Sequence, residues 1–158
     1  TAVREALAQL IIMRQNEGEK LAQDLLQRLK DLKELTGQIK ERAPLVVSEY
    51  QQKLRQRLEA MLTDIALDEN RLLMEVALFA DRASIAEELV RLESHMEQFE
   101  EALRQQQPVG RKLDFLVQEM NREINTIGSK ANDLLISRLV VEGKSQLEKI
   151  REQVQNIE

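Results

Sequence analysis

The chain has 158 residues, of which 32% are charged and 3% aromatic, with no Trp, no Cys, two prolines and a formal net charge of −5. The lack of Cys excludes disulfides, thiolate metal sites and a cysteine nucleophile. Few aromatics argue against β-sandwiches and base-stacking RNA-binding sheets, and the dominance of Leu, Glu, Gln, Arg, Ala and Lys is the composition of long helices or coiled coils.

Residues 3–42 read as the first helix, because Leu7, Leu10, Ile11, Leu21, Leu25, Leu29, Leu32 and Ile39 recur at three- and four-residue steps. Arg14, Glu17 and Gly18 interrupt that stripe. A buried Arg14–Glu17 pair fixing the register of a helical hairpin explains the interruption; a contribution to a functional site is the alternative. Pro44 is expected to end the helix or to mark a new first turn. A second helix over 45–62 then turns Tyr50, Leu54, Leu58, Met61 and Leu62 inward. Residues 63–68 read as a connector whose Asp68 caps a third helix over 69–83, with Leu72, Val76, Phe79 and Ala80 facing in. Ser84-Ile-Ala-Glu87 spells a capping box. It opens a fourth helix in which Ile85, Leu89, Leu92, Met96, Phe99 and Leu103 form a heptad seam. Residues 105–110 form the clearest loop, and a last long helix follows from about 111 to near the C-terminus.

The expected fold is therefore all-α: an elongated antiparallel helical hairpin or bundle of about five helices, with long first and last helices, in one domain over residues 1–158. Seams this long are expected to need a partner subunit or a further domain to complete their burial. The chain starts with Thr and is expected to be part of a longer protein. No apolar run approaches the roughly 20 residues that cross a bilayer, and no signal-peptide pattern is present. The reading is a cytoplasmic protein with no membrane partner.

Charge is unevenly spread. Residues 1–60 hold 11 basic and 9 acidic side chains, residues 61–108 hold 4 and 11, and residues 109–158 hold 8 and 8. Nucleic acid held by bulk charge alone requires a basic chain, so an RNA site here is expected to use a local patch, bridging metal ions or parts of the protein outside this sequence. No phosphate-binding glycine loop, HExxH or His-rich metal site is present, since the chain has five scattered glycines and one histidine.

The last helix is the anomaly. Leu113, Leu116, Met120, Ile124, Ile127, Ala131 and Leu134 form an ordinary apolar face, but Asn121, Asn125, Thr126, Gly128, Ser129 and Asn132 are mediocre or poor helix formers. Together they cost on the order of 3–4 kcal/mol of helix preference. Gln118, Asn121, Asn125, Ser129 and Asn132 line one stripe of neutral donors and acceptors, flanked by Glu119, Arg122, Glu123, Thr126, Lys130 and Asp133, with Arg111 and Lys112 upstream. Such a face suits a phosphodiester ligand, with carboxylates for a divalent cation, cations for phosphate, and amides for sugar or base edges. A buried polar network between helices, with small residues admitting a close neighbour, explains the same residues.

The string from Val109-Gly-Arg-Lys-Leu-Asp-Phe-Leu through Asn121-Arg-Glu-Ile-Asn to Asn132 resembles the C-terminal signature of the YicC family of bacterial endoribonucleases. Asp81-Arg-Ala-Ser to His95 resembles that family's second block, and Arg151 to Glu158 its C-terminal end. Ser84 departs from the pattern, which has Asp there, and is not counted as a metal ligand. The resemblance implies an absent N-terminal domain, metal-dependent endonucleolytic cleavage of single-stranded or small regulatory RNA, and a ring-like homo-oligomer, a hexamer. The alternative is a non-catalytic helical scaffold that binds RNA or assembles the oligomer while another domain does the chemistry.

Within this frame Glu119 and Glu123, one turn apart, are candidates to share Mg²⁺ or Mn²⁺ or to divide acid and base work. An ordinary acidic pair balanced by Arg122 and Lys130 is the plain alternative. His95, beside the Met96–Phe99 seam with Glu88 and Arg91 on its side of the helix, is either structural or a proton shuttle. Glu87 is accounted for by the capping box, whereas Glu88 is not and joins the catalytic candidates. Arg91, Arg111, Lys112, Gln118, Asn121, Arg122, Asn125, Ser129 and Lys130 are the RNA-binding candidates.

Overall fold

A computed structural model of the chain describes residues 2–62, 67–105 and 109–155. Among the described residues it holds five helices and no strand: α1 (Ala2–Met61), α2 (Glu69–Ala83), α3 (Ala86–Leu103), α4 (Gly110–Lys130) and α5 (Leu134–Val154). Packing joins α1 to α3, α3 to α4, α4 to α5 and α5 back to α1. The four helices thus close a ring around one core. Ion pairs fix the direction of each neighbour. Lys33 meets Glu100 and Lys40 meets Glu93, so α3 runs antiparallel to α1; Arg91 meets Glu123 and Lys130 meets Glu88, so α4 runs antiparallel to α3. Leu25, Leu29, Leu32, Phe99, Leu113, Met120, Ile127, Ile136 and Ile150 are among the side chains at 0–1% exposure that fill the middle. Helix α2 packs on the far half of α1, where Tyr50 and Phe79 stack with ring centroids 3.8 Å apart and Arg55 forks onto Glu69.

The expected break at Pro44 does not occur: α1 is one helix of 60 residues, about 90 Å long. An interior proline removes one backbone bond and costs about 3 kcal/mol. Burial of Ile39 and Val46 on either side offsets that cost, as does Arg42, which reaches over the proline to both carboxylate oxygens of Glu49 at 2.5 and 2.8 Å. The apolar stripe of α1 is buried only from Leu25 onward. Val3, Leu7, Leu10 and Ile11 are exposed, and so are Arg14 and Glu17, so these two side chains are not buried as expected from sequence.

The Ser84 capping box is also absent. Ile85 is the N-cap of α3 and makes no side-chain cap bond. The core explains the shift: Ile85 is 3% exposed, and its burial leaves Ser84 in extended backbone at the end of α2. Glu87 is freed to pair with Arg91. Asp68 does cap α2, accepting from the amides of Asn70 and Arg71. Loop residues Gln106, Gln107 and Pro108, connector residues 63–66 and residues 156–158 lie outside the described residues.

The single last helix is divided in two. Asn132 has φ 46°, the left-handed region that Asn tolerates better than most side chains, and Asp133 caps α5 by accepting from the Ile136 amide at 2.9 Å. Leu134, assigned to the apolar face from sequence, is 70% exposed, because the turn resets the helical phase. Asp133 also pairs with Arg42 through contacts of 2.8 and 3.3 Å. The hydrogen bond from Arg42 holds the Asp133 carboxyl below its ordinary value, against an opposing push from burial.

Replacing Asp133 by Ala is expected to destabilise the fold by at least the roughly 1–2 kcal/mol of a lost N-cap, read as a fall in the urea midpoint. The sign of the pH effect follows from the depressed folded value. The Asp133 contribution is complete above the unfolded carboxyl pKa of 3.8 and disappears as pH falls through the lower folded one. Asp133→Asn should therefore flatten the acid limb of a stability–pH curve measured by thermal unfolding between about pH 5 and 2.

Candidate functional site

Four of the residues singled out from sequence meet along the α3–α4 seam. Glu88 and Arg91 stand one turn apart on α3, and Glu123 and Lys130 occupy the facing side of α4. The Lys130 ammonium donates to Glu88 Oε1 at 2.6 Å, and Arg91 Nη1 lies 3.8 Å from Glu123 Oε1 while its Nη2 pairs with Glu87. Both carboxylates are buried, Glu88 at 5% and Glu123 at 4% exposure. Burial pushes the Glu88 carboxyl up, but the hydrogen bond and charge of Lys130, a backbone amide and the charge of Arg91 together bring it below its ordinary value. Glu88 is ionised at neutral pH with one oxygen in use. Its other oxygen, Oε2, is buried without a hydrogen-bond partner among the described residues, and so is Nδ1 of His95. Unpaired buried polar atoms are uncommon in folded proteins, and each calls for a ligand, a water or a chemical role. The antiparallel register set by Arg91–Glu123 and Lys130–Glu88 puts His95 one turn further along, at the level of Glu119.

Glu119 is partly exposed and lies 3.7 Å from Arg122 Nη1. Both carboxylates of the Glu119–Glu123 pair meet their arginines at distances longer than a hydrogen bond. Among the described residues no group of three or more His, Cys, Asp or Glu side chains converges as a metal site. Two carboxylates one turn apart still fit an ion that takes its remaining ligands from phosphate and water, as Mg²⁺ commonly does.

The solvent side of α4 carries the other candidates, and they are not one stripe. Arg111, Lys112, Gln118, Arg122, Asn125, Ser129 and Lys130 are exposed. Gln118 donates to Asp114 at 2.7 Å, and Ser129 back-bonds to the Thr126 carbonyl at 2.9 Å. Asn121 turns toward α5, into a shallow groove with Leu147, Glu148 and Arg151. Asn132 leaves the stripe altogether, because it forms the turn. The buried amide network considered from sequence is therefore not what these residues build, as Asn125 and Ser129 face solvent. Gly128 does admit a close neighbour: a Cβ there would sit 2.9 Å from Val140 Cγ1. The sequence reading passes over Phe115, which is 58% exposed in the middle of this polar face. Its offset from Leu113, Leu116 and Val117 on the helical wheel is the signal that finds it.

Removing the Lys130 charge with Lys130→Met leaves Glu88 buried with its main counter-ion gone. The Glu88 carboxyl is expected to move from below to above its ordinary value, which a side-chain carboxyl NMR titration would detect; an unchanged titration would contradict the pairing.

A family model described as "Endoribonuclease YicC-like, C-terminal" matches residues 39–158. A protein of Clostridioides difficile named "Probable endoribonuclease YicC" is 51% identical over 158 residues, covering 99% of this chain and 54% of that protein. A Haemophilus influenzae protein of the same name is 40% identical over 158 residues, covering 100% of this chain and 54% of its own length. The chain thus spans about half the length of these curated relatives. The α3–α4 seam and all of α4 and α5 fall within the matched region, and this chain belongs to the YicC-like endoribonuclease family, in the part that the family model calls C-terminal.

Proposed function

We propose that this chain supplies the cleavage site of a metal-dependent endoribonuclease acting on single-stranded or small regulatory RNA in the cytoplasm. The observation that carries the reading is the α3–α4 seam, where Glu88 and Glu123 are buried, Lys130 holds one oxygen of Glu88, and Glu88 Oε2 and His95 Nδ1 are buried with no hydrogen-bond partner among the described residues. Endoribonuclease names on the relatives give the same reaction class. Glu119 and Glu123 are the residues that would hold Mg²⁺ or Mn²⁺; bound there, such an ion supplies Lewis acidity at a phosphate oxygen and lowers the pKa of water. Arg122 and Lys130, with Arg111 and Lys112 further along, neutralise the RNA backbone. Arg91 holds Glu123 in place across the seam. His95 accepts or returns a proton at the scissile position. Gln118, Asn121, Asn125 and Ser129 offer neutral donors and acceptors to sugar or base edges.

Self-association belongs to the same proposal. Leu7, Leu10 and Ile11 on the projecting part of α1 are 48–56% exposed, an apolar stripe suited to a second copy, and the proposed assembly is a homo-oligomer, a hexamer. A second reading has one observation in its favour. With no three-ligand metal cluster among the described residues, the chain can instead be a helical RNA-binding scaffold whose chemistry lies elsewhere in the protein.

Cleavage of a defined RNA by full-length protein, with and without a chelator, separates the two. Glu119→Gln and Glu123→Gln are expected to lower the cleavage rate by at least about 100-fold with folding and assembly retained. Wild-type rates in both variants would favour the scaffold.

A further inference from the structure

The chain has four aromatic residues, and packing accounts for three of them. Phe99 is fully buried, and Tyr50 and Phe79 stack on each other. Phe115 is different. The buried side of α4 is made by Leu113, Leu116, Val117, Met120, Ile124 and Ile127, and at 100° per residue Phe115 points almost directly away from it. The residue is 58% exposed, and no described aromatic stacks on it. A single exposed apolar residue is ordinary in itself. What sets Phe115 apart is its chemistry: among the described residues the other exposed large apolar side chains are aliphatic, and Phe115 alone presents an aromatic ring, on a face of charged and amide side chains.

Those neighbours are specific. Arg111 and Lys112 lie one turn before Phe115, Glu119 one turn after, and Arg122 two turns after, all on the same exposed side. Arg111 and Lys112 are exposed and form no ion pair among the described residues, and Arg122 is 75% exposed with Glu119 3.7 Å away, so these charges face solvent where a ligand can reach them. Phe115 therefore presents a bare π-face about 6 Å along the helix axis from Glu119, between two cationic positions. A base stacked on an aromatic side chain with its flanking phosphates on Arg or Lys is the usual chemistry of single-strand binding. A duplex cannot offer the face of an unstacked base.

We propose that Phe115 is a base-stacking residue that positions one unpaired nucleotide next to Glu119, with Arg111 and Arg122 on the flanking phosphates. The proposal rests on the RNA-cleavage reading above and adds to it the substrate class: a strand with an unpaired base beside the cut bond. A second copy of the chain seated on Phe115 is the competing occupant.

The test uses full-length protein and a single-stranded RNA carrying a fluorescent base analogue, with chelator present so that binding is measured apart from cleavage. Phe115→Leu keeps an apolar side chain at an exposed position and removes the π-face. It is expected to weaken binding by about 5- to 100-fold, with Phe115→Trp restoring it and the thermal midpoint unchanged. The loss should vanish on an RNA made abasic at the stacked position. Unchanged binding by Phe115→Leu overturns the proposal. An equal loss on intact and abasic RNA also overturns it, as does dissociation of the oligomer by this substitution, which would assign Phe115 to a subunit contact. Failure of the wild-type protein to bind RNA at all sinks the RNA reading itself, whereas RNA binding and cleavage that ignore residue 115 sink only the stacking role.

Discussion

Arg42 is the side chain through which the rest of the structure is set. One guanidinium spans Pro44 to reach Glu49 and crosses to Asp133 at the start of α5. The first contact bridges α1 where its own backbone ladder lacks a bond. The second fixes where α5 begins, and therefore where the Asn132 turn sits and where α4 stops. Lys130 is the last residue of α4, two positions before that turn, and it reaches Glu88 on α3. A contact on α1 thus sets the height at which the α3–α4 seam closes. With Arg42 18% and Asp133 12% exposed, the pair is screened from solvent enough to act as a geometric stop rather than a loose surface attraction.

The seam places two buried carboxylates within reach of two cations and leaves two buried atoms over. An apolar pair of helices of this size would be held well by Leu89, Leu92, Met96, Leu116 and Met120 alone. Placing Glu88 and Glu123 between them costs desolvation, which at Glu88 the hydrogen bond and charge of Lys130, a backbone amide and the charge of Arg91 outweigh. Stability alone does not call for that arrangement.

Fold class, helix directions and most of the core were legible in the sequence, because they rest on three- and four-residue periodicity that packing does not alter. What was not legible depended on tertiary contacts. Pro44 is a helix breaker by local rule, yet Glu49 and Asp133 lie seven and 91 residues from Arg42, beyond the range of a local pattern. Ser84-Ile-Ala-Glu87 is spelled correctly as a cap, and the burial of Ile85 overrides it. Asn132-Asp133 carried a turn signal, a left-handed-tolerant residue followed by a capping one, but the polar stripe seemed to explain both. At the site, Glu88 stood out because the capping box accounts for Glu87 and not for it, Glu123 because it lies one turn from Glu119, and Arg91 and Lys130 because they are cations beside these residues; Phe115 was missed because an apolar residue in an apolar-rich helix raises no alarm until its phase is measured.

Gly128 stands where α4 packs against Val140 of α5, and a Cβ added there would lie 2.9 Å from a methyl of that valine. The two positions share one volume. A side chain may occupy the space from α4 or from α5, but a β-branched residue at 140 leaves no room for any at 128, and spreading the helices would open the core around Ile124 and Ile127. Bulk added at 128 is thus tolerated only where it is removed at 140, and the pair acts as a single unit of size rather than as two independent residues.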